Sequence, residues 1–241
     1  MSNKKKTKKK PAAKPQQQLT PKNYLLTGRA RKLPITECWI SSDWKVAGIC
    51  SIVVARQHTS GNLTFGIYLV DIFCLGLKNS NPVFNKPEYE YEDLLDNIFN
   101  THMYGKTQID YVLAHNIIYG AIAYAEDLGF KPEKDWALSQ MILEEDTEDV
   151  ELIEVEFGKN GKPYFINGPY DNVQKVANTL NKSVGEGNYG MTYILGDPSS
   201  FDDEFDFDDD EDYEDDDYDY DDDDDDDEED AEDVDYEEVK S

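Results

Sequence analysis

Three stretches of the chain carry the apolar pattern of a β-strand, and each lies beside a turn signal. Residues 47–56 (AGICSIVVAR) and 63–74 (LTFGIYLVDIFC) are rich in β-branched side chains and flank His58-Thr59-Ser60-Gly61-Asn62. They predict a β-hairpin. With Ser60-Gly61 at its tip, Arg56 faces Phe65, Ile52 faces Leu69 and Cys50 faces Asp71. Arg56 and Asp71 then share one face, about 20 Å apart along the ladder. The second run is apolar on both faces, which predicts a central strand covered on each side. Residues 150–157 (VELIEVEF) set Ile153, Val155 and Phe157 against Glu154 and Glu156, and Asn160-Gly161 follows. This dipeptide predicts a second hairpin pairing Phe157 with Tyr164 and Val155 with Ile166.

The helical rhythm appears between and after these runs. Residues 91–102 (YEDLLDNIFNTH) predict a short helix. The clearest helix spans 108–128, with Thr107 and Asp110 as a capping box, Gly129 as its stop and Pro132 beyond. Leu113, Ile117, Gly120, Ala121, Tyr124 and Leu128 form one face, on which the small residues allow another backbone to come close. A third helix starts at Asp171, with Gln174 at its third position and Val173, Val176, Ala177 and Leu180 on one side. Gly185 ends it, and a short apolar run, 189–195, closes the domain. Strands and helices are segregated, so the pattern predicts an α+β fold: a single domain, 35–195, of two β-hairpins and about three helices.

Charge changes the picture at both ends. Of 53 acidic residues, 29 lie beyond position 200, with one lysine among them. Residues 1–22 carry eight lysines and no acid. Neither end has apolar residues enough to offset the entropy of ordering, so residues 1–34 are expected to form a disordered basic arm and 196–241 a disordered acidic-aromatic tail. The N-terminus lacks the apolar region of a signal peptide, and no run is long enough to span a membrane. Cys38, Cys50 and Cys74 are odd in number and sit among apolar residues, and the three histidines lack ligand spacing. Reduced thiols, no metal site and a cytoplasmic location are expected, or a nuclear one in a eukaryotic host.

Candidate chemistry is sparse. Asp71 is a lone carboxylate in an apolar strand, and burying it costs several kcal/mol unless it is paired, hydrogen-bonded or protonated (roughly 3–5 for a broken buried pair). It is either a metal ligand or general base, with Glu126 or Asp127 converging on it, or a structural charge bonded to a backbone N–H, a tyrosine or a lysine such as Lys78. His115 shares a helix stripe with Tyr111, Tyr119, Ile122 and Glu126. That stripe can line a pocket or proton relay, or can be an ordinary half-solvated face. Arg56 and His58 flank the hairpin turn as a candidate anion site. Trp39, Trp44 and Trp136 read as packing residues, with base stacking as the alternative. Gly185-Glu186-Gly187-Asn188-Tyr189-Gly190 spells a dinucleotide-binding glycine pattern in the wrong context, because a helix precedes it and a strand follows. No nucleophile has recognisable partners, and no cofactor is evident.

The tail carries the most information. Phe201, Phe205, Phe207, Tyr213, Tyr218 and Tyr220 interrupt its acids, as in segments that bind basic partners through charge and apolar anchors together. The sequence points to an interaction protein whose tail engages a basic protein or nucleoprotein. Its basic arm would touch nucleic acid or fold back on the tail. The alternative is a metal-dependent phosphodiester hydrolase built on Asp71, with His115 and Glu126 in support.

Overall fold

A computed structural model of the chain describes residues 20–100, 105–168 and 171–193. The structure begins earlier than the charge pattern predicts. Residues 20–34, expected to belong to the basic arm, hold a short helix α1 (Pro21–Leu26) and a helical turn (Ala30–Lys32). Thr20 caps α1, and Pro21 sits at its first position, where its missing N–H costs nothing. Leu25 and Ala30 are buried against Ile142, which anchors a segment that is otherwise basic.

The centre is an antiparallel sheet of five strands: β1 (Ile35–Ser41), β2 (Ile49–Gln57), β3 (Leu63–Asp71), β4 (Gly76–Lys86) and β5 (Lys106–Ile109). Their order is β4-β3-β2-β1-β5. β3 is interior, as its two apolar faces predict, and Pro82 lies on edge strand β4, where a missing donor is tolerated. The β2–β3 hairpin forms, but its register is one residue away from the expected one. Arg56 pairs with Thr64, Ile52 with Tyr68 and Cys50 with Val70. The loop holds five residues, His58 to Asn62, closed by a bond from the His58 N–H to the Asn62 carbonyl at 2.8 Å. A one-residue slip moves side chains to the other face, so Asp71 falls in the row of Phe65, Ile67 and Leu69 while Arg56 lies with Thr64 and Tyr68.

Two helices cover the sheet. On one face lies α4 (Tyr111–Asp127), started by Asp110; Thr107, expected to cap it, is in β5. Ile117 and Ile118 are fully buried there with Ile52, Val54, Tyr68 and Val70. Each buried isoleucine is worth about 1.5–3 kcal/mol over an exposed one. On the other face, α3 (Glu88–Phe99) lays Tyr91, Leu95 and Phe99 on Val53, Ala55 and Phe65. Short helices α2 (Trp44–Ala47) and α5 (Trp136–Ser139) complete the region.

The predicted second hairpin is not formed. Residues 150–157 make no strand, and the turn at Asn160-Gly161, with both residues at positive φ, closes a single bridge between Lys159 and Lys162. The alternation of 150–157 instead records an extended chain lying on α4. Val155 and Phe157 pack inward, and Asn116 supplies the backbone partners, accepting from the Ile153 N–H and donating to the Glu151 carbonyl. Gly120 exists for this contact, since a Cβ there would meet the Phe157 ring at 2.5 Å. β6 (Tyr164–Ile166) pairs in parallel with β7 (Gly190–Thr192) across α6 (Val173–Ser183), which Asn172 caps in place of Asp171. Among the described residues no helix is long and apolar enough to cross a membrane.

Candidate functional site

The residues singled out by their chemistry lie in separate places. Asp71 ends β3, and its Oδ1 accepts the N–H groups of Phe73 at 2.9 Å and Cys74 at 3.0 Å. It closes the β3–β4 turn on itself. Burial pushes its carboxyl up to about 6, against the pull of those backbone N–H groups and of Lys78. The turn in turn organises its neighbours. Ile72 donates to the Gly48 carbonyl and accepts from Gly158, and Phe73 accepts from Tyr164. Gly76, at φ +68°, presses on α4, where an added Cβ would meet the Ala121 carbonyl oxygen at 2.7 Å. Of the partners expected for a buried carboxylate, Asp71 thus has backbone N–H groups.

Arg56 is 1% exposed and makes four hydrogen bonds to protein. Its guanidinium donates to the carbonyls of Arg31, Leu33 and Ile142 and to the Glu144 carboxylate at 2.6 Å. Arg31 fastens the same segment through the Leu143 carbonyl and Glu145. His58 bonds Thr64 at 2.8 Å and packs against the Tyr24–Phe84 pair, with burial lowering its pKa. The two side chains are each engaged within the hairpin and its cover.

His115 is 2% exposed, not half solvated. Residues 139–146 lie over it, with the Tyr111 hydroxyl accepting the Glu144 N–H and the Tyr119 hydroxyl donating to the Glu144 carbonyl. Burial lowers its pKa, and its ring lies 4.5 Å from that of Tyr119, tilted by 36°. Glu126 is exposed, eleven residues along the same helix, or about 16 Å at 1.5 Å per residue. Asp71, His115 and Glu126 are not brought together. Among the described residues no group of three His, Cys, Asp or Glu is placed to hold a metal ion. Cys38, Cys50 and Cys74 are buried and free, with their thiols held well above the ordinary range by desolvation. Gly185 and Gly187 adopt positive φ in the turn after α6 and cradle no helix N-terminus. Phe201, Phe205, Phe207, Tyr213, Tyr218 and Tyr220 lie outside the described residues.

The open chemistry is on the other face. α3 covers the middle of the sheet but leaves a cleft of about 470 Å³ toward β1 and β5. Its walls carry Glu37, Glu88, Glu92 and Asp96, with Trp39 and Tyr91 between them. Four carboxylates face one ammonium, Lys106, which pairs with Asp96 at 2.6 Å and lies 5.4 Å from the Trp39 ring centroid. Glu88 and Glu92 have no ion-pair partner among the described residues. Tyr91 is 3% exposed and its hydroxyl lies toward Glu37 and Trp39. That hydroxyl and the Trp39 indole N–H are closed off from solvent and turned toward each other and toward Glu37. Desolvation, then Glu37, raise the tyrosine's pKa.

Sequence reasoning missed this cleft. The available signal was the four-residue spacing of Glu88, Glu92 and Asp96, an acidic stripe beside the apolar Tyr91-Leu95-Phe99 stripe. Glu37 and Trp39 reach it from β1, a strand the sequence did not reveal. A second hollow lies between β4, α6 and residues 129–133. There Lys78 pairs with Asp171 at 2.6 Å, and Asp171 also accepts the Gly168 N–H. Lys131, Glu133 and Lys175 line it as well, and Glu133 Oε2 is buried there. No known protein family, curated protein or solved structure matches this chain.

Proposed function

We propose that the protein is an interaction protein whose acidic-aromatic tail engages a basic partner, such as a nucleic-acid-associated protein, in the cytoplasm or nucleus. The carrying observation is the concentration of 29 carboxylates and one lysine beyond position 200. Such a run attracts a cationic surface over a Debye length of about 8 Å at physiological salt, and the interleaved aromatic residues add apolar contact. The lysine-rich arm contacts nucleic acid or competes for the tail. The acid-lined cleft gives the folded domain the same preference for cations.

The test replaces the seven aspartates 221–227 by asparagine in the full chain and measures affinity for a lysine-rich peptide through a salt series. Neutralisation is expected to weaken binding and flatten its salt dependence. Unchanged affinity at physiological salt would remove the proposal.

A further inference from the structure

The hollow between β4, α6 and residues 129–133, about 470 Å³ in volume, inverts the charge of the domain around it. From residue 23 to 200 carboxylates outnumber cations 24 to 14, yet here Lys78, Lys131 and Lys175 stand against Glu133 and Asp171. Asp171 is taken by Lys78 at 2.6 Å, and Glu133 accepts the Asp135 N–H of its own loop. Lys131 and Lys175 are exposed and have no ion-pair partner among the described residues. Between the charges the wall is apolar, made by Leu75, Leu77, Phe130 and Val176. Two open cations beside an apolar wall suit an anionic segment that also carries apolar side chains. A bare polyanion would leave the wall in water and gain nothing from it.

The chain supplies such a segment next to the hollow. β7 ends at Thr192, whose carbonyl accepts the Asn167 N–H. The residue after Asn167 is Gly168, which donates to Asp171, and a Cβ on it would lie 3.5 Å from the Lys78 ammonium. The chain therefore leaves β7 beside the Lys78–Asp171 edge of the hollow. Eight positions beyond Tyr193 begins Phe201-Asp202-Asp203-Glu204-Phe205-Asp206-Phe207, three phenylalanines among four acids. Eight extended residues reach roughly 28 Å, enough to turn back to the hollow. After Phe207 every aromatic residue of the tail is a tyrosine, so the most apolar part of the tail is the part nearest the domain.

We propose that residues 201–207 dock in this hollow, their phenylalanine rings on Leu75, Phe130 and Val176 and their carboxylates on Lys131 and Lys175. The short connection holds the segment at a millimolar effective concentration, so weak contacts suffice. This goes beyond the proposed basic partner: it fixes the root of the tail on the domain and leaves the aspartates 221–227 for that partner.

The test follows methyl signals of the full-length protein by NMR. Docked rings shift the Leu75 and Val176 methyl signals through their ring currents. The triple variant Phe201→Ser, Phe205→Ser, Phe207→Ser is expected to move those signals and to leave the Ile52 and Ile117 signals in place, which certifies the fold. Lys131→Gln with Lys175→Gln, both exposed, should weaken docking by about tenfold, the scale of two exposed ion pairs. It should move the same signals along the same line toward their undocked positions. Leu75 and Val176 signals unchanged by the serine variant overturn the proposal. Signals that answer the phenylalanines but not the lysines overturn its ionic half. A shift that grows with protein concentration assigns the hollow to the tail of a second copy and overturns docking within one chain. Both variants keep the aspartates 221–227, so affinity for the lysine-rich peptide is a separate readout that survives any of these failures.

Discussion

The two faces of the sheet are finished differently. Under α4 the surface is sealed: residues 139–157 wrap the helix, and Arg56, Tyr68, His115 and Ser139 are buried together with partners from distant segments. Under α3 the cover is partial, and a cleft at its margin is lined by carboxylates of α3 and β1 and by Trp39. The residues with the richest chemistry, a histidine and an arginine, went to the sealed side, where they hold the structure. The commoner residues went to the open side. A side chain's chemical repertoire matters to function only where solvent and ligand can reach it.

The contrast can be broken most severely at Arg56. Arg56→Met keeps the stem but strands three carbonyls and the Glu144 carboxylate, and should cost about 3–5 kcal/mol in urea denaturation. A loss below 1 kcal/mol on the order-of-magnitude scale of a surface pair would mean the guanidinium is not what holds residues 142–144.

Asp71 should give the next largest effect, and one with a sign. Its folded-state value of about 6 lies above the 3.8 of a free aspartate. Between those values the folded protein keeps a proton that the unfolded chain has lost. Stability contributed by Asp71 is therefore full below about pH 4 and declines as pH rises to 6, by about 3 kcal/mol at 1.36 kcal/mol per unit. Asp71→Asn retains an acceptor for the Phe73 and Cys74 N–H groups and does not titrate. Denaturation midpoints at pH 4 and pH 7 should show the parent losing stability relative to this variant, and parallel behaviour would refute the shift.

His115 runs the other way. Its folded value lies below the ordinary 6.5, so the stability it allows is present above 6.5 and lost as pH falls through that value. His115→Phe removes the titration and the unbonded Nε2 together, and should leave stability at pH 7.5 within about 1 kcal/mol of the parent while softening the acid loss below 6.5. The smallest effect belongs to the open face. Glu88→Gln with Glu92→Gln should move the melting midpoint by less than about 0.5 kcal/mol equivalent, as exposed substitutions do. A large loss would show that these carboxylates hold the fold, and that the two faces are less different than their exposure indicates.

Elements with a complete local signature were legible. The β2–β3 pair announces itself by two β-branched runs and a glycine turn, and α4 by length, periodicity and Gly129. Its register was not legible, because His58 and Asn62 close a wider loop than the Ser60-Gly61 dipeptide suggests. Strand β4 carries Lys78, Asn79, Asn81, Asn85 and Lys86 and draws its order from neighbours, so nothing local marks it as a strand. Residues 153–157 show the converse: an alternation that reports which side of an extended chain is wet, not whether another strand lies beside it. The cleft was hidden for the same reason as β1, since Glu37 and Trp39 meet α3 only through the sheet.

The Arg56 hydrogen bonds also set a timetable for synthesis. Their acceptors at Arg31 and Leu33 precede the guanidinium by 25 and 23 positions, whereas those at Ile142 and Glu144 follow it by 86 and 88. At about 5–20 residues per second, the ribosome delivers Ile142 on the order of 4–17 s after Arg56. Through that interval a half-satisfied cation lies in the middle of a nascent sheet, and the α4 face stays uncovered. The newborn chain is thus most exposed to aggregation and to chaperone capture while residues 57–142 emerge, and the α4 side of its sheet is sealed late, by residues that follow every strand of that sheet.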